Sequence, residues 1–78
     1  MLVVMRFYFA RTARRHKISK PHALAAIANA GAPTVANGCL NWIGMDDRGV
    51  ELHIKGRPSI EDPENLVIIF HVMPTDLR

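Results

Sequence analysis

The 78-residue sequence holds a single cysteine, Cys39, so no internal disulfide can form. The expected compartment is the reducing cytoplasm. Histidine and cysteine never fall at zinc-finger spacing, which argues against a structural metal, and no cofactor-binding motif is present. No glycine-rich phosphate loop and no serine-hydrolase elbow occurs. No apolar run approaches the ~18 residues that a membrane span requires. The opening MLVVMRFYFA makes a poor secretory signal, because Arg6 interrupts the apolar run and the basic cluster follows it. Acid is missing from the whole of residues 1–31, which carry six basic residues; residues 32–78 carry four basic and seven acidic ones. The net charge of +3 therefore conceals a one-sided positive field, which calls for an anionic partner or belongs to a solvated helix face.

What is present is apolar, at 49% of residues. One domain over residues 1–78 is the expected count. A chain this short buries roughly 60–65% of its unfolded surface, so dense packing or self-association must support the core.

Residues 2–9 alternate and are rich in branched and aromatic side chains, which predicts a strand. Thr12 is placed to cap a short helix over Ala13–Lys17. Ser19 is placed as an N-cap, with Pro21 in the first turn and Gly31 as the stop, which predicts a second helix with Leu24, Ile27 and Ala28 on its apolar face. GAPTVANG, residues 31–38, reads as a loop. Leu40–Met45 reads as a strand, MDDRG as a turn, and Val50–Lys55 as a half-buried strand. Leu66–Met73 is apolar on both faces and reads as a central strand. The expected fold class is α+β: an N-terminal strand, two short helices, then a three-stranded antiparallel meander with the helices packed on one face.

Centring the last hairpin near residue 62 sets His53 roughly opposite His71, on a face shared with Glu51, Lys55, Val67, Ile69 and Met73. This is either a histidine pair at a site or two ordinary cross-strand residues. As a metal site it is short of ligands. Cys39 has no basic neighbour in sequence to activate it, and turn chemistry accounts for Asp46 and Asp47. Arg48 follows a turn and Arg57 lies at the far end of the same strand; arginine suits bidentate phosphate contact and stabilises charge in phosphoryl transfer. RTARRHKISKPH, residues 11–22, holds five of the ten Lys and Arg residues and two of the four histidines. Its layout loosely fits a helix-turn-helix, but the second helix is mostly alanine and offers few side chains for base edges.

Two stretches, RRHKISKPHALAAI (residues 14–27) and DDRGVELHIKGRP with NLVIIFHVMP, resemble the BrnT-like toxins of type II toxin–antitoxin systems, within the RelE/ParE-like group. His16, Lys17, Ile18, Ser19 and Ala23 carry the first likeness. Asp47, Arg48, Gly56 and the run Leu66–Val72 carry the second. Lys17 departs from the small residue of the family pattern. The resemblance implies a compact RelE-like fold and a metal-independent ribonuclease that blocks translation. Arg48 would be the phosphate clamp and His16 or His71 the proton-transfer group. Arg14, Arg15, Lys17 and Arg57 would hold RNA. An antitoxin, RNA and a second copy (a homodimer) are the implied partners, with no membrane. The family continues into a further strand with an arginine-rich motif and a helix; here only Arg78 stands near that place, so the expectation is a retained fold with activity in doubt. The competing expectation is a non-enzymatic protein- or nucleic-acid-binding module that dimerises through its sheet face.

Overall fold

Five strands form one mixed sheet in a computed structural model that describes residues 6–76. They are β1 (Arg6–Phe9), β2 (Thr34–Ala36), β3 (Cys39–Met45), β4 (Glu51–Pro58) and β5 (Leu66–Pro74). One α-helix, α1 (Lys20–Ala30), and a single 3-10 turn, Arg11–Arg14, join β1 to β2. The strand order is β1-β5-β4-β3-β2; β1 runs parallel to β5 and every other pair is antiparallel.

This overturns the expected α+β architecture. Among the described residues there is one α-helix where two were expected, and the antiparallel part of the sheet has four strands, not three. The first helix fails because Arg11–Arg14 closes only one tight turn and Lys17 then takes a left-handed φ of 56°. No helix can continue through such a residue. The cap of that turn is Ala10, not Thr12. The missed strand β2 lies in GAPTVANG, whose Asn37-Gly38 pair has φ values of 53° and 75°. Both residues have the positive φ that a two-residue hairpin turn demands, and Asn-Gly supplies it most readily. The interior strand Leu66–Pro74 is paired on both sides, as its apolar character required, although the middle of the sheet is β4. Of the N-terminal strand expected over residues 2–9, residues 2–5 lie outside the described residues.

Helix α1 starts at Ser19 and stops at Gly31 as expected, with Pro21 in its first turn, but the Ser19 hydroxyl makes no capping bond. Its buried face is Ala23, Ala26 and Ile27, whereas Leu24 is 37% exposed. Small residues let the helix backbone close on β3. A Cβ built on Gly44 would lie 2.4 Å from the Ala26 carbonyl oxygen, so glycine and alanine together set this distance. The core beneath holds Leu52, Ile54, Val67, Ile69 and Val72, with Trp42 meeting Phe7 edge to face at 5.9 Å. All of these side chains lie on the α1 side of the sheet. Among the described residues no helix lies over the opposite face, and that openness is what positions the site.

Candidate functional site

Alternation along β4 sends Leu52, Ile54 and Gly56 to the core and Glu51, His53, Lys55 and Arg57 to the open face. On β5 the same rule would put His71 with Val67 and Ile69, both buried. It does not, because the register slips: Lys55 pairs with His71 while Gly56 pairs with Ile69. Phe70 is the extra residue of a β-bulge, which re-aims the side chains after it. His71 and Met73 therefore reach the open face beside His53, while Val67 and Ile69 stay in the core. The expectation that Val67 and Ile69 share the face of the histidines is corrected by this bulge.

The two imidazoles meet edge to face with centroids 5.6 Å apart. His53 Nε2 lies 3.2 Å from Asn41 Oδ1, which makes that nitrogen the N–H donor and sets the tautomer. Burial lowers the His53 pKa, and nearby Lys55 lowers it further. Burial likewise lowers that of His71, followed by the charges of His53, Lys55, His16 and Arg15. Both rings are consequently held neutral near pH 7, with a ring nitrogen free to accept a proton.

The chain leaving the 3-10 turn folds over the end of this face. Thr12, Arg15 and His16 join Lys55, Phe70, His71 and Met73 around an open groove of about 590 Å³. Two permanent cations and two histidines line it, and no acid does. Such a lining attracts an anion of phosphodiester size, and it pairs two charged donors with groups that can move protons.

The site residues read from the sequence are only partly brought together. His16, His71 and Arg15 line the groove. Arg14 and Lys17 turn the other way and border a second cavity with Lys20. Arg57 lies on the open face, two residues beyond Lys55. Arg48 sits in the turn joining β3 and β4, beyond Glu51, the start of β4, which is itself about 13 Å along the strand from Lys55. Its Nε and Nη2 donate to Asp46 Oδ2 at 3.0 and 2.7 Å. Asp46 is buried, and burial alone would raise its pKa. Hydrogen bonds from the Val50 amide, the Arg48 side chain and the Arg48 amide outweigh that and hold it at about 2. The Arg48 guanidinium is therefore committed to the turn. Lys55 and His53 are absent from the ribonuclease site that the resemblance implies, although the alternation of Glu51, His53 and Lys55 puts them on one face and His53 is one half of the expected histidine pair. The bulge that parts His71 from Val67 and Ile69 has no signature in the sequence.

No family model, curated protein or solved structure matches this chain. The site is therefore read from its own chemistry. Among the described residues, no helix is long and apolar enough to cross a membrane. His22, Asp46 and Asp47 bring ligand atoms within 4.8 Å of one another, the one such trio among the described residues. Both oxygens of Asp46 already accept two hydrogen bonds each, from Arg48 and Val50, which uses all its lone-pair positions. The His22–Asp47 contact ties α1 to the β3–β4 turn and accounts for the rest of the trio.

Proposed function

We propose that the groove binds and cleaves RNA as a metal-independent endoribonuclease, and that the chain is the toxin of a type II toxin–antitoxin pair whose antitoxin restrains it. The observation that carries the catalytic part is the meeting of neutral His71 with His16, Lys55 and Arg15 around one acid-free concavity. The toxin role rests on the likeness to the BrnT-like family.

Lys55 and Arg15 would hold the scissile phosphate and offset the charge that builds on its oxygens. Neutral His71 would take the proton of the RNA 2′-hydroxyl as its oxygen attacks the adjacent phosphorus. The P–O5′ bond breaks, and His16 in its imidazolium form returns a proton to the departing 5′ oxygen. The products are a 2′,3′-cyclic phosphate and a 5′-hydroxyl, and atoms and charge balance without a metal. The clamp falls to Lys55 and Arg15 in this reading, because Arg48 is held by Asp46.

The test is cleavage of a fluorescent single-stranded RNA in excess chelator. Wild type cleaves, His71→Ala and His16→Ala lower the rate about 10²-fold or more, and Lys55→Ala weakens binding. Growth arrest on expression in a bacterium, relieved by His71→Ala, supports the toxin role. A folded wild type that neither binds nor cuts RNA overturns the reading.

A second reading is favoured by Ile43 and Met45, which are 57% and 51% exposed on the same open face. A non-enzymatic module pairing through that face would bury them, and would sediment as a dimer that Ile43→Lys returns to monomer.

A further inference from the structure

On the other side of the 3-10 turn, Phe9, Ala13, Arg14, Lys17, Ile18, Ser19 and Lys20 enclose a second cavity of about 380 Å³. Nothing in the groove chemistry uses it. Its floor is apolar: Phe9 and Ala13 are buried, and Ile18 packs partly against the core. Its rim is cationic, with Arg14, Lys17 and Lys20 at intervals of three residues, and no acid occurs anywhere in residues 1–31. Lys20 holds its ammonium 5.7 Å from the Phe9 ring centroid, above the floor. The geometry of the rim depends on Lys17, whose left-handed φ of 56° turns the chain sharply between Arg14 and Ser19. A lysine there is strained, since the conformation suits glycine or asparagine better. The strained residue is a charged one, standing on the rim of an apolar hollow.

We infer that this cavity docks a protein segment: an acidic peptide that inserts one apolar side chain onto Phe9, Ala13 and Ile18 while its carboxylates meet Arg14, Lys17 and Lys20. Charge complementarity and the apolar floor point to this occupant together. Nucleic acid suits the site less well, because sequence-tolerant strand binding needs exposed aromatic faces for base stacking. Here the one aromatic residue, Phe9, is 9% exposed, and the Lys20 ammonium stands over its ring. The inference is independent of the groove and of any activity there.

The experiment is an amide NMR titration of the full chain with two peptides, Ac-EDELLDEE-amide and its counterpart with both leucines replaced by serine. Saturable shifts at Phe9, Ala13, Lys17, Ile18 and Lys20 are expected from the first. The serine peptide should bind at least tenfold more weakly, because the buried apolar side chain is gone. Lys17→Glu with Lys20→Glu should abolish the shifts. If that double variant fails to fold, Lys17→Gly serves instead: it removes one rim charge, fits the left-handed backbone, and should weaken binding severalfold. Equal binding of the two peptides, shifts centred on Lys55 and His71, or tighter occupancy of this cavity by an oligouridylate would each overturn the inference.

Discussion

The imidazoles of His53 and His71 lie edge to face at 5.6 Å, yet neither is the register partner of the other: His53 pairs with Met73, and His71 with Lys55. The bulge at Phe70 makes the contact possible. With Phe70 held in a regular ladder instead of a bulge, strict alternation would carry His71 to the face of Ile69 and Val67. Deleting Phe70 should therefore restore a regular ladder, with His71 directly after Ile69 and so still on the open face, and Val72 still in the core. The expected outcome is retained cooperative unfolding, followed by far-UV circular dichroism during thermal melting. A deletion variant that no longer unfolds cooperatively would refute the bulge as the cause.

Gly44 lets α1 rest on β3, and an added methyl group has no room. Its Cβ would stand 2.4 Å from the Ala26 oxygen and 2.9 Å from the Ala30 Cα, both backbone atoms. Gly44→Ala should cost roughly 1–3 kcal/mol, the usual penalty of overpacking. Chemical denaturation measures it. A cost near zero would mean that the helix can lift without loss.

Arg48→Ala separates two roles for this residue. If Arg48 serves the turn, the variant leaves buried Asp46 without its guanidinium partner and lowers Tm by several degrees. RNA binding by the fraction still folded should be retained. Loss of RNA binding at unchanged Tm would instead return Arg48 to the binding site. Differential scanning fluorimetry and an anisotropy titration decide between them.

Acid should destabilise the protein in two windows. The unfolded chain protonates His53 and His71 at their ordinary 6.5, while the folded chain resists because both values are lowered. The unfolded state then binds more protons, so stability falls as pH drops below about 6.5 and levels off once the folded rings are protonated. Asp46 adds a second loss between its ordinary 3.8 and about 2, as its carboxylate is neutralised. Urea midpoints measured from pH 7.5 to 5 should decline in wild type and flatten in a His53→Gln, His71→Gln double variant. An unchanged slope in that variant would locate the titration elsewhere.

Salt dependence tests the groove directly. Each phosphate contact by Lys or Arg releases counterions, so Lys55→Ala should reduce the slope of log affinity against log salt by about one. The same substitution of Lys20, outside the groove, should leave that slope unchanged.

The sequence by itself determined the elements whose signals are local. Ser19, Pro21 and Gly31 delimit α1, and Asp46 to Gly49 make the β3–β4 turn. The alternation from Val50 to Lys55 sets the faces of β4. These follow from dihedral preference and side-chain period, which neighbouring residues carry among themselves. Asn37-Gly38 was equally legible as a hairpin turn, although the Pro and Gly around it read as loop. Only the tertiary structure decided three further matters. The helix buries its alanine face and leaves Leu24 outside, because contact with Gly44 rewards close approach over bulk. The cation cluster of residues 11–20 divides between two cavities, because Lys17 bends the chain between Arg15 and Lys20. Val67 and Ile69 part from the face of His71, because strands of unequal count must still pair. Each is a compromise between segments distant in sequence, and no local pattern records it.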